Sequence, residues 1–136
     1  MSKFGVFLFE GFQEMEFWYP VLRLREIGAD VVVIGVDGSE AASSTLGYPV
    51  VPNVAMKDAR PEEFAALIVP GGKVGALAEN RAFREFLGAA SKHGARIAAF
   101  SQAASLAESL ASDALVARTT DDVPQCMRTL IKELAR

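Results

Sequence analysis

The sequence predicts an α/β fold, a three-layer α/β/α arrangement around a parallel sheet, and three observations carry that expectation. Short β-branched or apolar runs alternate with segments of helical periodicity, the pattern that right-handed βαβ crossovers produce. The apolar runs are continuous rather than alternating, as strands covered on both faces require. A length of 136 residues, 51% hydrophobic and 23% charged, suffices for one domain with its own core and excludes a disordered or fibrous chain.

Residues 4–9, FGVFLF, form the first strand. Residues 14–27 form a helix closed by Gly28, which can take the left-handed conformation of a helix end. Residues 30–36, DVVVIGV, are the second strand, and residues 66–69, before Pro70-Gly71-Gly72, are the third. A helix over 80–93 leads to the fourth strand, 95–100; a short helix, 104–111, leads to the fifth, 114–118. The final helix is the most regular, with Val123, Cys126, Met127, Leu130, Ile131 and Leu134 at helical spacing. Asp121 or Asp122 caps it, and Pro124 sits in its first turn, where a missing N–H is harmless. Residues 39–63, with Ser, Gly and three prolines, break the rhythm and are expected to form a surface excursion with a short extended piece at 48–51. There is no internal repeat and no domain boundary, so residues 1–136 are expected to form a single domain.

A net charge of −3, with both signs interspersed, leaves no basic face for a nucleic-acid backbone, so nucleic acid is not an expected partner. One cysteine excludes an internal disulfide. No apolar run is long enough to span a bilayer, and the first residues enter a strand-like run too short for the core of a secretory signal. The expected location is the cytoplasm, with no membrane contact.

In an open parallel sheet, ligands collect beyond the carboxyl ends of the strands. Three segments should meet there: residues 11–16, residues 70–72 and residues 100–102. In IAAFSQAASLAESL, residues 97–110, an apolar strand turns abruptly into a helix at Ser101. Such a bend lifts its first side chain above the sheet and aims the following N–H groups at whatever binds beside it.

Three segments taken in order, FLFEGFQEMEFWYPVLRLREIGADVVVIG, FAALIVPGG and GARIAAFSQAASLAESL, resemble the ThiJ/PfpI family of the class I glutamine amidotransferase-like superfamily. ALVARTTDDVPQCMRTLIKEL is similar to that family's final strand and helix. The resemblance implies a flavodoxin-like, five-stranded parallel sheet in the order 2-1-3-4-5. It also implies a cysteine nucleophile at the elbow followed by histidine and glycine, a glutamate on the first helix touching it, and backbone donors in the PGG turn. Carried over, Glu16 falls on the glutamate and Gly71 and Gly72 on the turn, while Ser101, Gln102 and Ala103 fall on the cysteine, histidine and glycine positions. The expected backbone donors are Gly71, Gly72 and Gln102. Family members usually insert several dozen residues before the final strand. Here Ser112-Asp113 is the whole connection, which suits a minimal αβ loop and leaves the site more open.

A serine hydroxyl is a weak nucleophile unless a base lies within hydrogen-bond reach. The one histidine, His93, precedes Ser101 by eight residues of extended chain, roughly 25 Å at about 3.3 Å per residue, and so belongs to the opposite edge of the sheet. Glu16 is near enough, but a lone carboxylate is a poor base for a hydroxyl. The expected protein is therefore a non-catalytic member of the family, a small dimeric scaffold whose residual elbow pocket takes a small molecule or nothing. The alternative is a hydrolase or amidase, akin to the PfpI-like intracellular proteases, that works through Ser101 with Glu16 in support. In either case Ser101 Oγ is expected within about 3.5 Å of a Glu16 carboxylate oxygen, as donor to it.

The remaining candidates have plainer roles. Cys126 lies on the apolar stripe of the last helix as a packing residue. Gly71-Gly72-Lys73 lacks P-loop spacing, and Lys73 is expected to be solvated. Pro20 cannot donate to the Glu16 carbonyl, so the first helix should be distorted there. No cofactor and no metal are expected. Phe17, Trp18 and Tyr19 are consecutive, and at about 100° per residue they fan over about 200°, more than one core-facing stripe covers. At least one ring faces outward, and related family members commonly pair through this region. A homodimer through these residues is expected.

Overall fold

The computed structural model describes residues 3–134, so residues 1–2 and 135–136 of the expected 1–136 domain lie outside the described residues. Its elements are β1 (Lys3–Leu8), α1 (Glu14–Glu26), β2 (Asp30–Gly35), β3 (Ala42–Ser43), β4 (Pro49–Val50), β5 (Val54–Ala55), β6 (Phe64–Val69), α2 (Gly75–Glu79), α3 (Arg81–Lys92), β7 (Arg96–Phe100), α4 (Ala104–Leu110), β8 (Leu115–Ala117) and α5 (Val123–Leu134). The main sheet is parallel, in the order β5-β2-β1-β6-β7-β8. The five strands β2-β1-β6-β7-β8 are the expected ones in the expected order. The strand count is corrected from five to six by β5, which pairs with Ile34 and Gly35 of β2. A clasp places it there: Asn53 N–H donates to the Val33 carbonyl at 2.8 Å, and Val33 N–H donates to Asn53 Oδ1 at 2.7 Å. The clasp satisfies the open edge of β2, which a two-residue strand could not hold by itself.

The excursion over 39–63 contains the extended piece expected at 48–51, as β4, and is more ordered than expected. It forms an antiparallel β3–β4 hairpin that is fastened to the loop before α1. Gly11 N–H donates to the Ser43 carbonyl at 2.7 Å, and Thr45 N–H to the Phe12 carbonyl at 2.9 Å. The helix expected over 80–93 is α3, whose N-cap Asn80 accepts from Phe83 N–H at 3.0 Å; the same residue ends α2, a short helix ahead of it that was not expected. Neither Asp121 nor Asp122 acts as the expected cap of α5. A 3-10 turn over Thr120–Asp122 runs straight into the helix, and the Asp122 carboxylate accepts from the Thr119 hydroxyl at 3.0 Å. α1 continues as a single helix through Pro20, which is buried in its core-facing side.

The strand that follows the two-residue connection pairs directly with its neighbour, Ala98 beside Leu115 and Phe100 beside Ala117. Arg96 ties this corner together. Its Nη1 donates to the Asp113 carbonyl at 2.7 Å and to Asp113 Oδ2 at 2.8 Å, and its Nε donates to Glu133 Oε2 of α5 at 2.8 Å. The core lies on both faces of the sheet; on one of them Phe83 of α3 packs edge-on against Phe7 of β1 with centroids 4.9 Å apart. Among the described residues no helix is long and apolar enough to cross a membrane.

Candidate functional site

The carboxyl ends of β1, β6, β7 and β8 bring four segments to one point. Glu16 stands in the first turn of α1, where the Gln13 side chain caps the helix by accepting from Glu16 N–H at 2.8 Å. Phe12 and Phe17, both fully buried with rings 5.0 Å apart, draw this turn into the core and take Glu16 with it. The Glu16 side chain is completely buried, and an acceptor-only carboxylate there needs donors. It has three. Gly71 N–H donates to Oε1 at 2.8 Å; the Ser101 hydroxyl donates to Oε2 at 2.5 Å and the Thr120 hydroxyl to the same oxygen at 2.7 Å. The expected Ser101–Glu16 contact is thus present and direct.

Ser101 is the one non-glycine residue with positive φ among the described residues, at 50°. β7 ends extended at Phe100, and the chain reverses through a 3-10 turn over Ser101–Ala103 into α4. A left-handed serine costs about 1–2 kcal/mol. Here the completely buried Phe100 and Ala103 on either side fix the backbone that imposes it.

The glycine turn has no room for a side chain. A Cβ on Gly71 would lie 2.5 Å from Glu16 Oε1, 2.6 Å from Gln102 Oε1 and 2.9 Å from the Phe100 carbonyl. Gly72 has φ of 115°, accessible to glycine and strained for other residues. Both turn amides are donors, and each is taken by a side chain of the same protein. Gly71 N–H goes to Glu16, and Gly72 N–H goes to Gln102 Oε1 at 3.0 Å. Gln102 enters this arrangement through its side chain, as an acceptor.

The charge at this point decides what can replace Gln102. The two side-chain oxygens flank the same point beside Gly71, so they lie within about 5 Å of each other. A second negative charge at the Gln102 oxygen would be repelled by Glu16 by about 2–3 kcal/mol at a partly solvated position. A charge-assisted hydrogen bond to Gly72 would return about 1 kcal/mol more than a neutral one. Repulsion wins.

The other sequence candidates stand apart from this cluster. His93 is the exposed C-terminal cap of α3, at the far end of β7 from Ser101. Cys126 is buried on α5, and desolvation pushes its thiol up to about 11, against a smaller opposing pull from Arg96. Lys73 is exposed, and its aliphatic stem lies against Gly11, where a Cβ would meet it at 2.8 Å. Among the described residues, no three His, Cys, Asp or Glu side chains converge as a metal site. Thr120 is the one member of the cluster that the sequence reading misses, although it follows the last strand at the same carboxyl edge as residues 11–16, 70–72 and 100–102. Beside it, Met15, Tyr19, Thr120, Asp121, Val123 and Pro124 line a cleft of about 180 Å³.

Comparison with known proteins agrees with this architecture. A family model described as the DJ-1/PfpI family matches residues 2–133. An uncharacterized protein from Archaeoglobus fulgidus is 39% identical over 62 residues, which cover 46% of this chain and 36% of that protein. A protein named a deglycase from Thermococcus kodakarensis is 34% identical over 64 residues, covering 47% of this chain and 38% of its own length. The matched part thus spans well under half the length of these curated relatives. The crystal structure of Drosophila melanogaster DJ-1beta superposes with a TM-score of 0.89 at 22% identity, covering 99% of this chain and 91% of that one, and so shares the fold. With the family model spanning nearly all of its length, this chain belongs to the DJ-1/PfpI family.

Proposed function

We propose that this protein is a non-catalytic member of its family, a single small domain that pairs as a homodimer and keeps a small-molecule pocket at the elbow. In this reading Ser101 stands where the family carries its nucleophilic cysteine, and the location is cytoplasmic. The observation that carries it is the engagement of every reactive group by a neighbour within the chain. The Ser101 hydroxyl is donated to Glu16, Glu16 accepts two further donors, and Gly72 N–H is held by Gln102. No imidazole stands beside the serine to take its proton, so the pair rests as hydroxyl and carboxylate. Pairing is supported by Met15, Trp18 and Leu22, which leave an apolar stripe exposed along α1.

One observation favours a second reading, a hydrolase or amidase acting through Ser101. The positive φ of Ser101 is the kind of strain that nucleophile-bearing turns store, and its hydroxyl already points at a carboxylate. A fluorophosphonate probe separates the two. The non-catalytic protein stays unlabelled under conditions that label a serine hydrolase control. An adduct mapped to Ser101, and absent from Ser101→Ala, would overturn the proposal in favour of the hydrolase.

A further inference from the structure

Gly71 and Gly72 present consecutive N–H groups in unlike circumstances. The Gly71 donor ends on a completely buried carboxylate that two hydroxyls also hold, so nothing can readily take its place. The Gly72 donor ends on the carbonyl oxygen of an exposed glutamine side chain. That side chain gives up rotamer freedom for one neutral hydrogen bond at a surface where water competes, so it opens and closes readily.

We propose that Gly72 N–H is a receptor for one neutral carbonyl group, that Gln102 is its built-in occupant, and that the elbow binds carboxamide ligands by displacing the Gln102 side chain. The proposal rests on the elbow being a binding pocket and adds the class of ligand it takes. Gln102 presents a primary carboxamide, and a ligand carrying the same group reproduces the acceptor at Gly72 while introducing no charge. A carboxylate of the same shape brings a negative charge within about 5 Å of Glu16 Oε1, which the site disfavours. Gly71 permits this arrangement because it has no Cβ; any side chain there would fill the space in which the two oxygens meet.

The test uses the full chain labelled with nitrogen-15, with acetamide and acetate as the neutral and anionic probes and the Gly72 amide resonance as the readout. Acetamide is expected to shift Gly72 in the unmodified protein. In Gln102→Ala it should do so at about fivefold to tenfold lower concentration, the ratio expected when one ordinary hydrogen bond holds the competing closed state. Acetate should leave Gly72 unmoved in both. Gln102→Glu keeps the shape and adds the charge, so its Gly72 amide should exchange with solvent as fast as in Gln102→Ala at neutral pH. Three results would overturn the proposal: no response to acetamide in Gln102→Ala, equal titrations in the two proteins, or a response to acetate as large as to acetamide. Retained protection of Gly72 in Gln102→Glu would overturn the preference for a neutral group. Labelling of Ser101 by the fluorophosphonate would instead remove the non-catalytic reading and leave these titrations standing.

Discussion

Ser101 and Glu16 could be placed together from the sequence because a sharp strand-to-helix turn leaves its first side chain little choice of direction, and β1, separated from β7 only by β6, delivers the glutamate to the same carboxyl edge. The Thr120 and Gln102 contacts were not legible in the same way. Thr120 is separated from Glu16 by 104 positions, and the Gln102 bond depends on a rotamer that no local pattern dictates. The site permits two residue-level tests. Ser101→Cys should place a partly accessible thiol at the elbow, in contrast to Cys126, which burial holds at about 11. At pH 8 a thiol with that value is about one part in a thousand thiolate, and its alkylation rises about tenfold per pH unit until the pH approaches 11. Iodoacetamide followed by peptide mass spectrometry should find the introduced cysteine modified at least about tenfold faster; equal rates would mean that the elbow is closed to reagent. Gly71→Ala should cost about 2–4 kcal/mol, because its methyl group would displace Glu16 or Gln102 and leave a buried carboxylate short of a donor. Urea denaturation measures the loss. A change below about 0.5 kcal/mol would show that the turn shifts without disturbing Glu16.

The elements of regular length were legible because their periodicity records which faces they bury; β1, β2, β6, β7 and the last helix appear within a residue or two of where the sequence puts them. β5 was not, since a two-residue strand has no period and its position depends on the Asn53 clasp with Val33. β8 is an intermediate case. The two-residue connection requires it to lie beside β7, but its stability there depends on Arg96, which bridges the connection and α5. Arg96→Met keeps most of the stem and removes all three hydrogen bonds. The expected cost is about 1–2 kcal/mol, modest because Asp113 is largely exposed. Hydrogen exchange should rise in residues 112–118 while β1 and β6 keep their protection. Uniform loss of protection across the sheet would make Arg96 a support of the whole fold rather than of this corner.

At the scale of the whole molecule, the outward ring anticipated from three consecutive aromatics can be identified. Phe17 is fully buried, Tyr19 is half-buried, and Trp18 remains 36% exposed with its ring edge-on to Phe17 at 5.0 Å. The packing against Phe17 restrains the Trp18 side chain before any partner arrives, which lowers the entropy lost on association. Met15 and Leu22, at 57% and 52% exposure, lie one turn to either side and extend the stripe. Three side chains alone fall short of the about 800 Å² per partner that a stable interface buries. More apolar surface is held close by: the β3–β4 hairpin, fastened to the loop before α1, exposes Leu46 and Tyr48, and Val51 follows it. On this basis, sedimentation velocity at micromolar concentration should give twice the mass of one chain. Trp18→Glu puts a charge at the centre of the stripe and should yield a monomer with its circular dichroism intact, because the ring is not needed to fill the core. Leu46→Glu, on the neighbouring hairpin, should weaken pairing by a smaller factor. If Trp18→Glu sediments as the unmodified protein does, the dimer forms through another face; if the unmodified protein is itself monomeric at these concentrations, the pairing proposal fails outright.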